Sequence, residues 1–324
     1  MTDLVGTENT AYRAVTEACG LLDRSERGKL ALSGAEAKSF LQGQVSNDVE
    51  GLAVGEGCYA ALLTPKGKML GDVRILDAGD ELLLDTERVA LQELFNMIRR
   101  YSLGFDVQLH KRTLERCLWS LIGPACDELV EGVPAREHAH VTIDLDGVHA
   151  RAVRTDVGID LLAPSDSLEP LRAALEGRGA VPVPEAVAEC VRIERGRPRY
   201  GVDLDDSVIP QEAGLNERAV SFTKGCYVGQ ETVARLYYRG KPNRNLRGLL
   251  LSGSASRGDE LRLGEKPVGA LGSVAQSPRL GWIALALVRR EAPPGSAVTV
   301  GERGVQAEIV ELPFEAALYD RPSG

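Results

Sequence analysis

Cys226 lies in the run Phe222-Thr223-Lys224-Gly225-Cys226-Tyr227-Val228-Gly229-Gln230-Glu231, with Arg235 four residues beyond the run. A thiol acts as a nucleophile or metal ligand only as thiolate, and nearby cations and free backbone N–H groups favour that form. Lys224 and Arg235 are candidate sources of positive charge. Gly225 and Gly229 allow turn conformations that expose amides. The opposing reading is a small buried residue at a tight turn, and local chemistry leaves both open. Gln230 and Glu231 could orient the loop. Glu231 and Arg235 are spaced for a helical ion pair, worth about 0.2–0.5 kcal/mol.

A second candidate is Glu194. Pro184 or Glu185 opens a helix, Gly196 closes it and Pro198 prevents continuation. Glu194 therefore falls in the last turn, where the helix dipole disfavours a carboxylate. That points to a specific partner, and neighbouring Arg192 and Arg195 are the simplest ones. The other cysteines, Cys19, Cys58, Cys117, Cys126 and Cys190, read as packing residues. No two cysteines form a C-x-x-C pair and the four histidines do not cluster with them, so neither a disulfide framework nor a metal site is expected.

The elements that must hold these groups are mixed. Residues 1–28 are polar and irregular in pattern. Ser33-Gly34-Ala35-Glu36 reads as a capping box before Ala37, Phe40 and Leu41 at helical spacing. Strands are expected at Tyr59–Leu63 and Met69–Leu76, joined by Pro65-Lys66-Gly67, then at Leu82–Asp85. An amphipathic helix follows over Val89–Arg100, with strands at 105–109, 117–122 and 141–145. This alternation predicts α+β layers with an antiparallel sheet. Beyond Leu246, short apolar strands at 246–252, 259–263, 268–275, 280–288, 297–300 and 305–311 predict a small β-barrel or sandwich. The division expected is an α+β region over 1–240 and a barrel domain over 246–324. Residues 235–247 read as a basic hinge.

The 324 residues exceed one ordinary core, and 44% hydrophobic with 26% charged residues is normal for a soluble globular chain. The net charge of −9 argues against nucleic-acid or anionic-membrane binding by the chain as a whole, leaving a local basic patch open. No G-x-G-x-x-G or phosphate-binding loop occurs. Neither a signal core nor a membrane span is evident, and scattered single thiols suit a reducing cytoplasm.

The run from Lys224 to Glu231, continuing to Arg235 and Gly240, resembles the signature of the YgfZ family, the folate-binding branch of the glycine-cleavage T-protein superfamily. Phe40-Leu41-Gln42-Gly43-Gln44-Val45-Ser46-Asn47-Asp48, Lys66-Gly67-Lys68-Met69, Ile193-Glu194-Arg195-Gly196-Arg197-Pro198 and Ile209-Pro210-Gln211-Glu212-Ala213 also match, so the resemblance spans about residues 28 to 315. It implies a T-protein-like fold: two interleaved ferredoxin-like lobes and a C-terminal β-barrel around a central channel that holds tetrahydrofolate or a derivative. It implies a role in iron–sulfur cluster assembly or repair, with client iron–sulfur proteins such as tRNA-thiolating enzymes, and no agreed conventional reaction. Cys226 would be a functional thiol, transiently holding sulfur, iron or a cluster fragment. The alternatives are a folate-dependent aminomethyltransferase and an RNA-associated factor.

A pterin offers paired donors that a carboxylate can accept. By resemblance, Asp160 stands where T-proteins carry a pterin-binding glutamate, Asp72 stands alone where they carry paired aspartates, and Glu194 is a second carboxylate candidate. Tyr101, Tyr200 and Tyr227 are candidate ring walls. Positions where some relatives place tryptophans beside the folate correspond here to Arg27 and Ala188.

Overall fold

In the computed structural model, which describes residues 2–314, the chain threads two antiparallel sheets in interleaved order. It enters the first sheet with strand Gly20–Asp23, then builds the whole second sheet from Gly28–Ser33, Gly57–Leu63, Met69–Asp77, Leu82–Thr86 and Gln108–Lys111. It returns to the first sheet with Arg116–Ile122, His140–Leu145, Val148–Arg154 and Gly158–Pro164, and with the short Val181–Pro182 that runs parallel to Gly20–Asp23.

Period-2 patterning explains how the sheets use their faces. Outer faces are apolar and covered by helices. Leu121, Ile159 and Leu161 pack against Leu171 and Leu175 of helix Leu168–Gly177. Leu32, Val73 and Leu84 pack against Phe40 and Leu41 of helix Ala37–Gln42 and against Leu94 and Ile98 of helix Leu91–Tyr101. Inner faces meet through a small cluster of Leu76, Leu118, Val153 and Leu162. Beside that cluster the facing rows turn polar. Tyr59, Arg74, Asp85 and Lys29 stand opposite one another across the second sheet, and Ser120 stands opposite Asp160 in the first.

Strands Arg244–Leu251, Glu260–Leu263, Lys266–Ser277, Gly281–Arg289, Ala297–Val300 and Val305–Val310 close into a barrel. Helix Glu185–Glu194 joins the parts. Its Val187 and Val191 pack against Ala11, Ala14 and Val15, and its Ile193 is buried among Leu246, Ile283, Leu285 and Phe314 of the barrel side. No helix among the described residues is long and apolar enough to cross a membrane.

Several expectations need correction. Residues 2–17 form a helix, with Ala11, Tyr12, Ala14 and Val15 on its buried side. The capping box is not made. Ser33 ends a strand and its hydroxyl meets His110 Nε2 at 2.8 Å, while the Glu36 carboxylate accepts from the Asp106 amide. The strand expected at 105–109 runs over Gln108–Lys111. Residues 235–247 are not one continuous linker: Gln230–Arg239 is helical, the barrel begins at Arg244, and residues 240–243 connect them. Arg244 and Arg247 pair with Glu212 and Glu311, so they are not solvated linker cations.

Candidate functional site

The polar rows between the sheets enclose a cavity of about 210 Å³, continuing into an inner arm of about 190 Å³ that shares Arg27, Tyr59, Asp72, Asp156 and Arg218 with it. Together they reach toward the lower end of small-molecule pocket sizes, roughly 300–1,000 Å³. The outer part is walled by seven arginines and five carboxylates, with Ile122, Val157, Ala188, Val191 and Tyr200 as apolar surface. The inner arm has four arginines and five carboxylates. Charge is therefore net positive in the first part and net negative in the arm lined by Arg74, Asp85 and Asp160. On the barrel side, Leu246, Arg247 and Leu312 line an adjoining pocket of about 210 Å³ together with Arg195, Arg197 and Arg218.

Most of these charges hold one another. Asp160 accepts from Ser120 Oγ and from Arg74 Nη1, both at 2.6 Å, which ties the first sheet to the second. Arg74 also meets Asp85 at 2.7 Å, and Arg27 donates to Asp85 at 2.8 Å and pairs with Glu87. Arg199 links Glu87 to Glu189, each at 3.0 Å, and Arg192 links Glu189 at 2.7 Å to Asp203 at 2.9 Å. This alternating ladder crosses both sheets and ends against the barrel at Ser273, whose hydroxyl donates to Asp203. Burial alone would raise the Asp156 carboxyl, but Arg218 and Arg197 outweigh it and hold it below the usual carboxylate range. Burial, with Arg74 and Arg218 nearby, pushes His138 down to about 3, so it lines the inner arm uncharged.

Asp72 stands outside the ladder. It is 8% exposed and forms no ion pair among the described residues. Its Oδ2 accepts from the Tyr59 hydroxyl at 2.6 Å. Burial pushes its carboxyl up to about 6, against the lowering effect of that hydrogen bond. Such a group is largely ionised at neutral pH yet close enough to it to exchange a proton. The hairpin fixes the pair. Tyr59 lies opposite Arg74 and Ala61 opposite Asp72, so Tyr59 and Asp72 are diagonal neighbours on one face. The Arg218 guanidinium lies 5.6 Å from the Tyr59 ring centre.

Cys226 is exposed, as a working thiol requires, and does not line the cavity. Lys224 does not serve it as a counter-charge. Its ammonium donates to the carbonyls of Gln42, Val45 and Asn47 at 2.6, 2.8 and 2.8 Å, and burial lowers it to about 8. Lys224 thus clamps the cysteine loop onto the Gln42–Asn47 segment, aided by Val228 N to Gly43 O and Ser46 Oγ to Ala219 O. Gly229 takes φ 84°, and a Cβ there would sit 2.6 Å from Thr64 O, so glycine is required where loop becomes helix. Arg235 is exposed on that helix and makes no ion pair with Glu231 among the described residues.

The remaining candidates separate. Asp72, Asp160 and Tyr200 line the cavity, as do Arg27 and Ala188. Tyr227 is buried with Leu63, Met69 and Val233 in a different cluster, and Tyr101 is half exposed on the helix that ends there. Glu194 lines neither the cavity nor its arm but an adjoining pocket of about 420 Å³, which shares Ile122, Asp156, Val157, Val191 and Arg195 with the cavity. Its Oε1 and Oε2 share the one Tyr12 hydroxyl donor, at 2.8 and 3.0 Å, and Oε1 also accepts from Ser277 Oγ at 2.5 Å, joining the first helix to the barrel. Neither Arg192 nor Arg195 is its partner. Tyr59, Arg218, Arg199 and Asp156 were missed. The hairpin register could have found Tyr59. Nothing local marks the other three.

Residues 3–224 match the GCVT N-terminal domain, and residues 244–315 match the glycine cleavage T-protein C-terminal barrel domain. An aminomethyltransferase of Rubrobacter xylanophilus is 30% identical, over 97% of this chain and 87% of its own length. One from Synechococcus sp. is 32% identical, over 94% of this chain and 89% of its own. A putative chloroplastic transferase of Arabidopsis thaliana is 28% identical over 95% of this chain and 74% of its own. The crystal structure of glycine cleavage system aminomethyltransferase T from Bartonella henselae shares the fold, with a TM-score of 0.85 at 22% identity over 95% of this chain and 89% of that one.

Proposed function

The chain belongs to the glycine cleavage T-protein family, and from that premise we propose that it binds a reduced folate in the cavity between its sheets. The observation that carries this reading is the cavity's charge gradient. A folate has donors at its pterin end and carboxylates at its tail. The carboxylate-rich inner arm, with Asp72 and Asp160, suits the donors. The arginines of the first part, Arg195 and Arg197 among them, suit the tail. Between them, Ile122, Val157, Val191 and Tyr200 offer apolar wall for the rings.

When bound, a reduced folate supplies nitrogens that carry a one-carbon unit. The names of the relatives favour transfer of an aminomethyl carbon, for which Asp72 would accept or return a proton at a folate nitrogen, oriented by Tyr59. Arginines hold Asp85, Asp156 and Glu189 below the usual carboxylate range, whereas burial raises Asp72 toward neutrality and gives it proton-exchange capacity.

The second reading, support of iron–sulfur cluster assembly or repair in the cytoplasm, rests on a different observation. Cys226 is exposed in the loop clamped by Lys224 and does not line the cavity between the sheets. A lone thiolate needs further ligands from a client protein or small thiol to hold a cluster.

Titration of the protein with tetrahydrofolate tests the shared claim. Saturable binding, weakened at least tenfold by Asp72→Asn, is expected; no binding overturns it. Turnover of an aminomethylated lipoyl carrier to methylenetetrahydrofolate then separates the readings. Its absence, together with cluster-enzyme defects in a deletion strain that Cys226→Ala fails to restore, favours the second.

A further inference from the structure

Helix Gln230–Arg239 rides on the surface and buries one side chain, Val233. Its outer face carries rings: Tyr238 is 67% exposed and Tyr237 48%. Phe222 stacks on Tyr237 with ring centres 3.8 Å apart, and Tyr238 stands edge-on to both. Cations interleave with these rings. Arg235 and Arg239 flank the tyrosines, Lys241 follows, and Lys66 stands at the tip of the hairpin whose Gly67 abuts Thr232. All four cations are exposed, and none forms an ion pair among the described residues. On a chain of net charge −9, these four cations lie beside open rings.

We propose that this patch binds single-stranded nucleic acid. Phosphates would meet Arg235, Arg239, Lys241 and Lys66, and a base would stack on the open face of Tyr238, the arrangement by which unpaired strands are held without sequence readout. A duplex buries its base faces and would leave Tyr238 unused. An acidic protein surface would satisfy the cations but has no need of an open ring face between them. The site is separate from the cavity, none of whose walls it shares.

The test is fluorescence anisotropy of a labelled oligouridylate of about 12 nucleotides, within the site sizes usual for such surfaces. Binding is expected at about 50 mM salt, with a log–log salt slope of about −2 to −3 from three or four phosphate contacts. Arg235→Ala combined with Arg239→Ala should weaken binding and flatten the slope by about 1.4. Tyr238→Ala should weaken it about tenfold with the slope unchanged. These side chains are exposed, and an unchanged melting curve for each variant confirms folding. No binding at low salt overturns the proposal. So does binding that neither variant alters. Stronger binding of a glutamate–tyrosine copolymer than of the oligonucleotide would make the patch a protein interface and likewise overturns it.

Discussion

Replacing Asp72 by asparagine should make the unliganded protein more stable at neutral pH while spoiling its site. Burial holds the Asp72 carboxyl at about 6, against an ordinary value of 3.8. A carboxyl raised in this way binds its proton more tightly when folded. The stability that proton confers is complete below about pH 4 and is lost as pH rises through about 6. At neutral pH the folded chain therefore carries a buried carboxylate at a cost of roughly 3 kcal/mol, about two units at 1.4 kcal/mol each. Asparagine preserves the shape, still accepts from Tyr59, and has no charge to desolvate. Asp72→Asn should raise unfolding free energy by about 1–3 kcal/mol at about pH 7.5, and by little near pH 4, where the wild-type group is protonated too. Urea unfolding at the two pH values measures both. An effect of equal size at each pH, or a loss of stability at pH 7.5, would refute the account of Asp72 as a desolvated carboxylate.

Three further outcomes follow from the contacts. Lys224→Met removes three charge-assisted bonds to the Gln42, Val45 and Asn47 carbonyls, which should cost about 2–4 kcal/mol and speed hydrogen exchange at the Val228 amide. Unaltered exchange there would show that Lys224 is not the clamp. Glu194→Ala strands the Tyr12 and Ser277 hydroxyls and should cost about 2–4 kcal/mol, with tetrahydrofolate affinity unchanged. A loss of affinity larger than the loss of stability explains would return Glu194 to the binding site. Cys226→Ser should leave both stability and folate affinity intact, since the thiol is exposed and outside the cavity; weakened folate binding in the titration would contradict that separation.

How far the sequence could be read depended on the range of the forces involved. The Tyr59–Leu63 and Met69–Leu76 hairpin, the Pro184 to Gly196 helix and the barrel strands are set by period, turn residues and caps within a few neighbours, and they lie within a few residues of their expected places. Helix Thr2–Glu17 was not legible, because its buried side is mostly small residues around Tyr12 and Val15 and its sequence carries Gly6 and four threonines, all weak helix formers. Asp72 and Asp160 were reached through motif position, but what they do depends on register and on inter-sheet contact. Asp160 is held by Arg74, 86 residues away, while Asp72 is left with Tyr59 alone. Lys224 shows the same limit most clearly. Two residues from Cys226 in sequence, it looks like a counter-charge, yet its acceptors lie 177 to 182 residues earlier in the chain. Glu194, at an unfavourable helix end, did have a specific partner, but it was Tyr12 rather than an adjacent arginine.

The most direct test of the central claim is a crystal structure of the protein grown with tetrahydrofolate. Density is expected in the cavity between the sheets, with the pterin against Asp72 and Asp160 and the glutamate tail at Arg195 and Arg197. A folate bound elsewhere, or lying in the cavity with its tail against Asp72 and Asp160, would contradict it.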